Sequence, residues 1–211
     1  MSEHMALENL TVLDLTRVLA GPFCTMMLAD MGANVIKIEV PKGGDDTRSY
    51  PPFRAKNLNG ERESVYFANI NRNKKGITLN LKAPEGKEIF KELVKKADIV
   101  VENYRPGVMD KLGLGYDVLK EINPRIIYAA VSGFGCYGPY HLRPGYDILA
   151  QAMGGMMSIT GSKGGEPTRA GSALGDILGG LHVTIGILAA VNARTITGKG
   201  QRVDVSLMDS M

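Results

Sequence analysis

At 211 residues, 44% of them hydrophobic and 22% charged, the chain has the makeup of one large or two small globular domains with a sizeable core. A formal net charge of +3 is too mild to call for nucleic acid, although it suits a small polyanion held by a few basic side chains. Two isolated cysteines, Cys24 and Cys136, exclude a disulfide scaffold and a cysteine metal site, and they fit a reducing cytoplasm.

Met1–Met5 reads as a ragged start or cloning remnant and is set aside; it carries no basic, apolar leader. The short apolar run Val12–Leu15 predicts a first strand. Thr16–Gly21 then predicts a loop, and Pro22 suits the first turn of a helix that reaches about Met31 and stops at Gly32. Asn34–Ile38 predicts a second strand ending at Glu39, so the opening forty residues form a β-α-β unit with a parallel pair. Gly21 followed by proline is not the G-x-G-x-x-G fingerprint. That argues against NAD and leaves Glu39 as a surface strand end.

Between Pro41 and Arg62, residues such as Gly43, Gly44, Asp45, Pro51, Pro52, Asn57, Asn59 and Gly60 break every helical or strand period, which predicts a long, functional loop. Asn71–Lys75 places three positive charges at the mouth of a strand over 76–81, and such a cluster is either a solvated face or a phosphate grip. A helix from Pro84 to about Lys96 and a strand over Ala97–Val101 follow. The loop Glu102–Gly107 lies at that strand's carboxyl end, where ligands bind in open α/β sheets. It offers an amide, an aromatic face and a guanidinium in succession, groups suited to adenine stacking and phosphate pairing.

Short helices around Val108–Leu112 and Tyr116–Ile122 precede a buried strand over Arg125–Val131. Three glycines and a proline within Ser132–Pro139 predict a loop that turns sharply or hugs a ligand, with Arg143, Tyr146 and Asp147 close behind it. Met153, Met156 and Met157 read as packing in a flexible helix. From Ile177 to Ala193 the chain is nearly uncharged and then meets Arg194 and Gly198, which predicts a buried helix with Asp176 as its N-cap. This run falls short of the ~20 apolar residues a spanning helix needs and contains His182, Thr184 and Gly186, so no membrane segment is expected.

Two roles for Asp176 stay open. It is either a helix cap, the usual duty of aspartate at such positions, or a nucleophile to which Gly171, Gly175, Gly179 and Gly180 give a bulky ligand access. Gln201–Ser206 predicts a last strand, and Leu207–Met211 predicts the start of a further element, as expected of a chain that continues in a larger protein.

Five stretches, 12–22 (VLDLTRVLAGP), 28–39 (LADMGANVIKIE), 98–107 (DIVVENYRPG), Gly175-Asp176 and 197–205 (TGKGQRVDV), together resemble the class III CoA-transferases. That is the family of formyl-CoA transferase and carnitine CoA-transferase, and it also contains α-methylacyl-CoA racemase. The resemblance implies an α/β fold: a Rossmann-like open, mostly parallel sheet with helices on both faces, forming a CoA-binding domain over 6–211, with the family's carboxyl-terminal half outside this chain. It implies Asp176 as the nucleophile that forms aspartyl mixed-anhydride and aspartyl-CoA intermediates. CoA contacts are implied at Asn103, Tyr104, Arg143, Lys74, Lys75 and Lys111, with Arg17 and Leu19 beside them. No metal and no tightly bound cofactor are implied; the partners are acyl-CoA, a carboxylic acid and a second copy of the chain in an interlocked homodimer.

Within that family pattern, backbone N–H groups at the helix start are expected to hold oxyanions and keep Asp176 ionised, and the glycine loop over 133–138 is expected to exclude water. Leu19 stands where some transferases carry a glutamine, which points away from formyl or oxalyl groups toward a more apolar acyl pocket. Val40 stands where a basic residue often follows the strand end. Tyr146 stands where the racemase branch has a histidine, and an unperturbed phenol is about three pKa units less acidic than imidazolium. Transfer of CoA is therefore expected ahead of racemisation, with a non-catalytic CoA-binding fragment as the third alternative.

Overall fold

Strand segments such as Ile99–Val101 and Ile127–Val131, apolar and buried at every position, demand cover on both faces, which is the signature of a parallel sheet. The computed structural model describes residues 4–54, 60 and 62–211. Part of the expected ragged start, Met1 to Glu3, and Asn57 and Asn59 of the expected long loop lie outside the described residues. In chain order the elements are β1 (Thr11–Asp14), α1 (Ala20–Asp30), β2 (Asn34–Glu39), β3 (Phe53–Arg54), β4 (Glu63–Ser64), α2 (Val65–Ile70), β5 (Lys75–Thr78) and α3 (Pro84–Val94). They continue with β6 (Ile99–Glu102), α4 (Val108–Leu112), α5 (Tyr116–Ile122), β7 (Ile127–Ser132), α6 (Asp147–Met153), α7 (Leu174–Thr197) and β8 (Arg202–Ser206).

The main sheet is parallel throughout, in the order β5-β2-β1-β6-β7-β8. The chain thus builds outward in one direction from β1 and then in the other from β6, and a crevice opens where the order reverses, beyond the carboxyl ends of these two strands. Alternate residues divide between two cores. Val12, Ile99, Val101, Ile127, Ala129 and Val131 pack with α1 and α7 on one face, while Leu13, Val100, Tyr128 and Ala130 pack with α3, α4 and α5 on the other.

The long helix α7 buries Val183, Ile187 and Ala190 in the first of these cores. Near its end Arg194 is buried and pairs with Asp98 at 3.0 Å, and Gly198 closes the helix at φ 70°, a conformation glycine adopts without penalty. At 24 residues and a mean hydropathy of 1.8, α7 is longer than the expected run and long and apolar enough to cross a membrane by those two measures. Its inner face is taken up by the core of this domain.

Strand and helix limits depart from the expected ones by a few residues, most at β5, an exposed edge strand that starts on Lys75 and ends at Thr78. Two departures are larger. The stretch from Pro41 to Arg62 contains a 3-10 turn over Asp46–Ser49 and contributes β3, which pairs antiparallel with β4. Helix α2 was not expected at all: at six residues it is too short to show a period, although Ser64 accepts a hydrogen bond from Phe67 N as an N-cap does.

Candidate active site

The crevice at the strand reversal is framed by the loop after β1 and the loop after β6. Asn103 ties the two together: its Oδ1 accepts from Arg17 N at 2.9 Å and its Nδ2 donates to Arg17 O at 2.7 Å. The next residue, Val18, sits at φ 66°, where a β-branched side chain costs of order 1–3 kcal/mol. Neighbours hold it there. Val18 N donates to Asp45 Oδ1 at 3.2 Å, Thr16 N and Oγ1 donate to Asp14 Oδ1 at 2.9 and 2.5 Å, and Lys37 Nζ donates to Thr16 O at 2.8 Å. Beneath the loop lie two buried ion pairs, Lys37–Asp45 and Lys74–Asp14, each at 3.0 Å. Burial alone would push the Asp14 carboxyl up, but Lys74 and Lys37, together with the Thr16 and Thr25 hydroxyl hydrogen bonds, hold the group below its ordinary value.

Above the loop is a cleft of about 490 Å³ whose lining includes Arg17, Leu19, Asn103, Tyr104, Arg143 and Asp176. Six of the nine expected site residues therefore meet in one place. Asp176 is not the N-cap of α7; that position is Ala173, and Asp176 is the third residue of the helix. The capping duty belongs to Asp147 at the start of α6, whose Oδ1 accepts from Gly175 N at 2.8 Å while its Oδ2 accepts from Gln151 at 2.8 Å. Burial first, and the negative charge of Asp147 second, push the Asp176 carboxyl up to about 6. The expected stabilisation of its ionised form by helix-start N–H groups is thus overturned, since desolvation and the neighbouring carboxylate prevail.

Two of the glycines around Asp176, Gly179 and Gly180, serve packing, while Gly171 stands in open space. A Cβ at Gly180 would stand 2.7 Å from the Ala20 carbonyl oxygen, and one at Gly179 would stand 2.5 Å from the Leu207 side chain. Only helices without side chains there can bring α1 against α7 and seat Leu207.

Three expected CoA contacts lie elsewhere. Lys74 is buried, and its Nζ is spent on Asp14, Pro22 O and Asn71 Oδ1 within 3.0 Å, so it is an interior counter-charge, not a phosphate grip. Lys75 opens β5 at the amino edge of the parallel sheet, opposite the cleft, and donates to Asn34 Oδ1 at 2.7 Å. Lys111 is an exposed residue of α4, outside the cleft lining to which Val108 of that helix contributes. Asn103, although in the cleft, has its amide engaged by Arg17. Glu39 is not a surface strand end either: it is buried, receives two bonds from Arg48 at 2.8 and 2.6 Å, and accepts from Asp45 N at 2.7 Å.

Arg105, the guanidinium of the expected ligand loop, lines the cleft as well. Two groups were not singled out by the sequence. Ser132 lines the cleft, and its Oγ is buried without a protein partner. Glu102 accepts from Tyr104 N at 2.7 Å and from Tyr128 OH at 3.1 Å, fixing the Tyr104 loop from below. Burial pushes its carboxyl to about 7 and pushes the Tyr104 phenol to about 12. The Glu102–Gly107 run signalled a ligand loop, but nothing in it signalled a buried carboxyl.

A parallel sheet with a carboxylate and basic side chains gathered at its reversal point defines an α/β protein whose cleft lies where such folds bind ligands. The chain belongs to CoA-transferase family III, whose profile matches residues 7–211. It is 51% identical over 212 residues to an acyl-CoA transferase of Fusarium pseudograminearum, covering 99% of this chain and 46% of that protein. It is 47% identical to the human succinyl-CoA:glutarate CoA-transferase, covering 100% and 47% of the two chains. A crystal structure of a CaiB/BaiF family protein from Brucella suis superposes with a TM-score of 0.94 at 45% identity, over 99% of this chain and 55% of that one. The chain spans about half the length of the curated relatives it matches.

Proposed function

We propose that the whole protein transfers CoA from an acyl-CoA to a carboxylic acid, with Asp176 as the covalent carrier. The observation that carries this is the half-buried Asp176 carboxylate opening into a cleft with Arg17, Arg143 and Tyr104, in a chain of CoA-transferase family III. With a pKa of about 6, Asp176 is roughly nine-tenths ionised at pH 7 and has not been made inert by a strong ion pair. Its carboxylate oxygen attacks the thioester carbonyl; the C–S bond breaks and leaves an acyl-aspartyl anhydride and CoA thiolate. The thiolate attacks the aspartyl carbonyl, releasing the donor acid as its carboxylate and leaving an aspartyl-CoA thioester. The acceptor carboxylate then displaces the thiolate to form a second anhydride. Attack of that thiolate on the acceptor's acyl carbon yields the new acyl-CoA and restores Asp176.

Arg143, exposed with its guanidinium 4.1 Å from the Tyr140 ring centre, and Arg105 are the basic groups placed to meet the phosphates. Leu19 in the cleft favours an acyl group with an apolar portion. Racemisation is disfavoured because Tyr146 faces the cleft at the position that branch gives to histidine, and among the described residues lining the cleft none is histidine. No tightly bound cofactor enters this scheme; acyl-CoA is substrate. We place the enzyme in the cytoplasm as an interlocked homodimer, supported by its two free cysteines and by exposed Ile148, Leu149, Leu181 and Ile185 on α6 and α7, which further chain would cover. Incubating the whole protein with an acyl-CoA and then hydroxylamine is expected to leave a hydroxamate on the peptide containing Asp176. A modification confined to any other residue overturns the assignment.

A further inference from the structure

We propose that Asp45 is a positioning residue for the transfer site: it holds Val18 in its left-handed conformation and thereby sets where Arg17 and Leu19 meet the substrate. The inference rests on the transferase reading for its kinetic arm alone. Val18 carries a branched side chain at φ 66°, a conformation that persists only where the surroundings over-determine it. The surroundings here do. Thr16 has its N–H on Asp14 and its carbonyl on Lys37, Arg17 has both backbone groups on Asn103, and Val18 has its N–H on Asp45. These anchors come from β1, from β2, from the end of β6 and from the loop after β2, so the main-chain path is clamped from four directions.

Among the four, Asp45 is the one that grips the strained residue directly. Its Oδ1 takes Val18 N at 3.2 Å, and its carboxylate pairs at 3.0 Å with the same buried Lys37 whose ammonium holds Thr16 O. Asp45 is itself fixed: its N–H donates to Glu39 Oε2 at 2.7 Å, and Thr47 N and Oγ1 donate to its Oδ1 at 3.0 and 2.8 Å. Its position lies 27 residues beyond Val18, in a segment that contributes none of the cleft lining. Removing the side chain frees Val18 N and strips Lys37 of its counter-charge at once. The loop then relaxes toward negative φ, and Arg17 and Leu19, on either side of Val18, lose their placement.

The test uses the whole protein, with kcat and KM for acyl-CoA and crystal structures of each variant. Asp45→Ala is expected to show Val18 at negative φ and to lower kcat/KM by about tenfold or more. Adding Val18→Gly to Asp45→Ala is expected to recover several-fold of that loss, because glycine takes positive φ without the anchor. Asp45→Asn keeps an acceptor for Val18 N and is expected to restore the loop even though it melts lower. Val18 remaining at positive φ in Asp45→Ala, or a double variant whose losses simply add, overturns the proposal. If Asp45→Ala does not fold, Asp45→Asn decides: native loop geometry with near-native KM supports the role, and native geometry with a tenfold loss refutes it. A wild-type protein that transfers no CoA sinks the functional reading, and the Val18 geometry in the variant structures still judges this one.

Discussion

Replacing Asp176, the proposed nucleophile, by asparagine should make the protein more stable. Asp176 ionises at about 6 in the fold, against about 3.9 for an aspartate in an unfolded chain, because burial and the Asp147 charge both oppose its negative form. Between those two pH values the folded state holds the proton more tightly than the unfolded state. Stability is therefore lost as pH rises from 4 to 6, and the loss is complete above 6. Two units correspond to about 3 kcal/mol, an upper figure that relaxation and water will reduce. Asp176→Asn keeps the shape and removes the charge, so at pH 7.5 it recovers up to that amount, roughly 6–12 °C in melting temperature for a domain of this size. Melting curves of both proteins at pH 7.5 and at pH 4 are the assay, with CoA transfer measured alongside. A large gap at pH 7.5 that closes at pH 4, with transfer abolished, is the expected outcome. Equal melting at pH 7.5, or a gap that does not depend on pH, would refute the claim that Asp176 is a carboxylate kept ionised against its surroundings. A site that trades stability for a reactive group behaves in this way.

Asp147→Asn keeps an acceptor for Gly175 N and removes the charge, so Asp176 should ionise at lower pH; the acidic limb of the pH–rate profile should shift downward, and an unmoved limb would contradict the coupling. Arg143→Ala should weaken CoA binding by about 1.5–3 kcal/mol, with a smaller loss at high salt, and unchanged affinity by calorimetry would take Arg143 out of the site. Lys74→Met should cost roughly 3–5 kcal/mol by leaving Asp14 underpaired in the interior, whereas Lys75→Ala should stay within about 0.5 kcal/mol. Denaturant unfolding separates those two, and the Lys75 variant should keep its CoA affinity.

The pair Lys74-Lys75 shows where the sequence stops being legible. The α/β order and the alternation of strand and helix could be read because parallel strands buried on both faces leave continuous apolar runs such as Ile99–Val101 and Ile127–Val131, and helix starts leave prolines such as Pro84. Those signals are local. The fate of a charge is not: Lys74 and Asp14 lie 60 residues apart, and only closure of the sheet brings that lysine under the crevice loop while sending its neighbour to the opposite edge. The same holds at Asp176. Its position near a helix start was visible, but the cap comes from Asp147 on another helix, and Asp176 is left a carboxylate whose pKa is raised first by burial and second by the Asp147 charge. Glycines fail for a related reason, since a sequence records the missing side chain and not the Ala20 carbonyl or Leu207 methyl that occupies its place. What the chain hides is therefore the set of long-range contacts that turn Lys37 and Asp45 into supports for a strained loop and Asp147 into the group that tunes the acid.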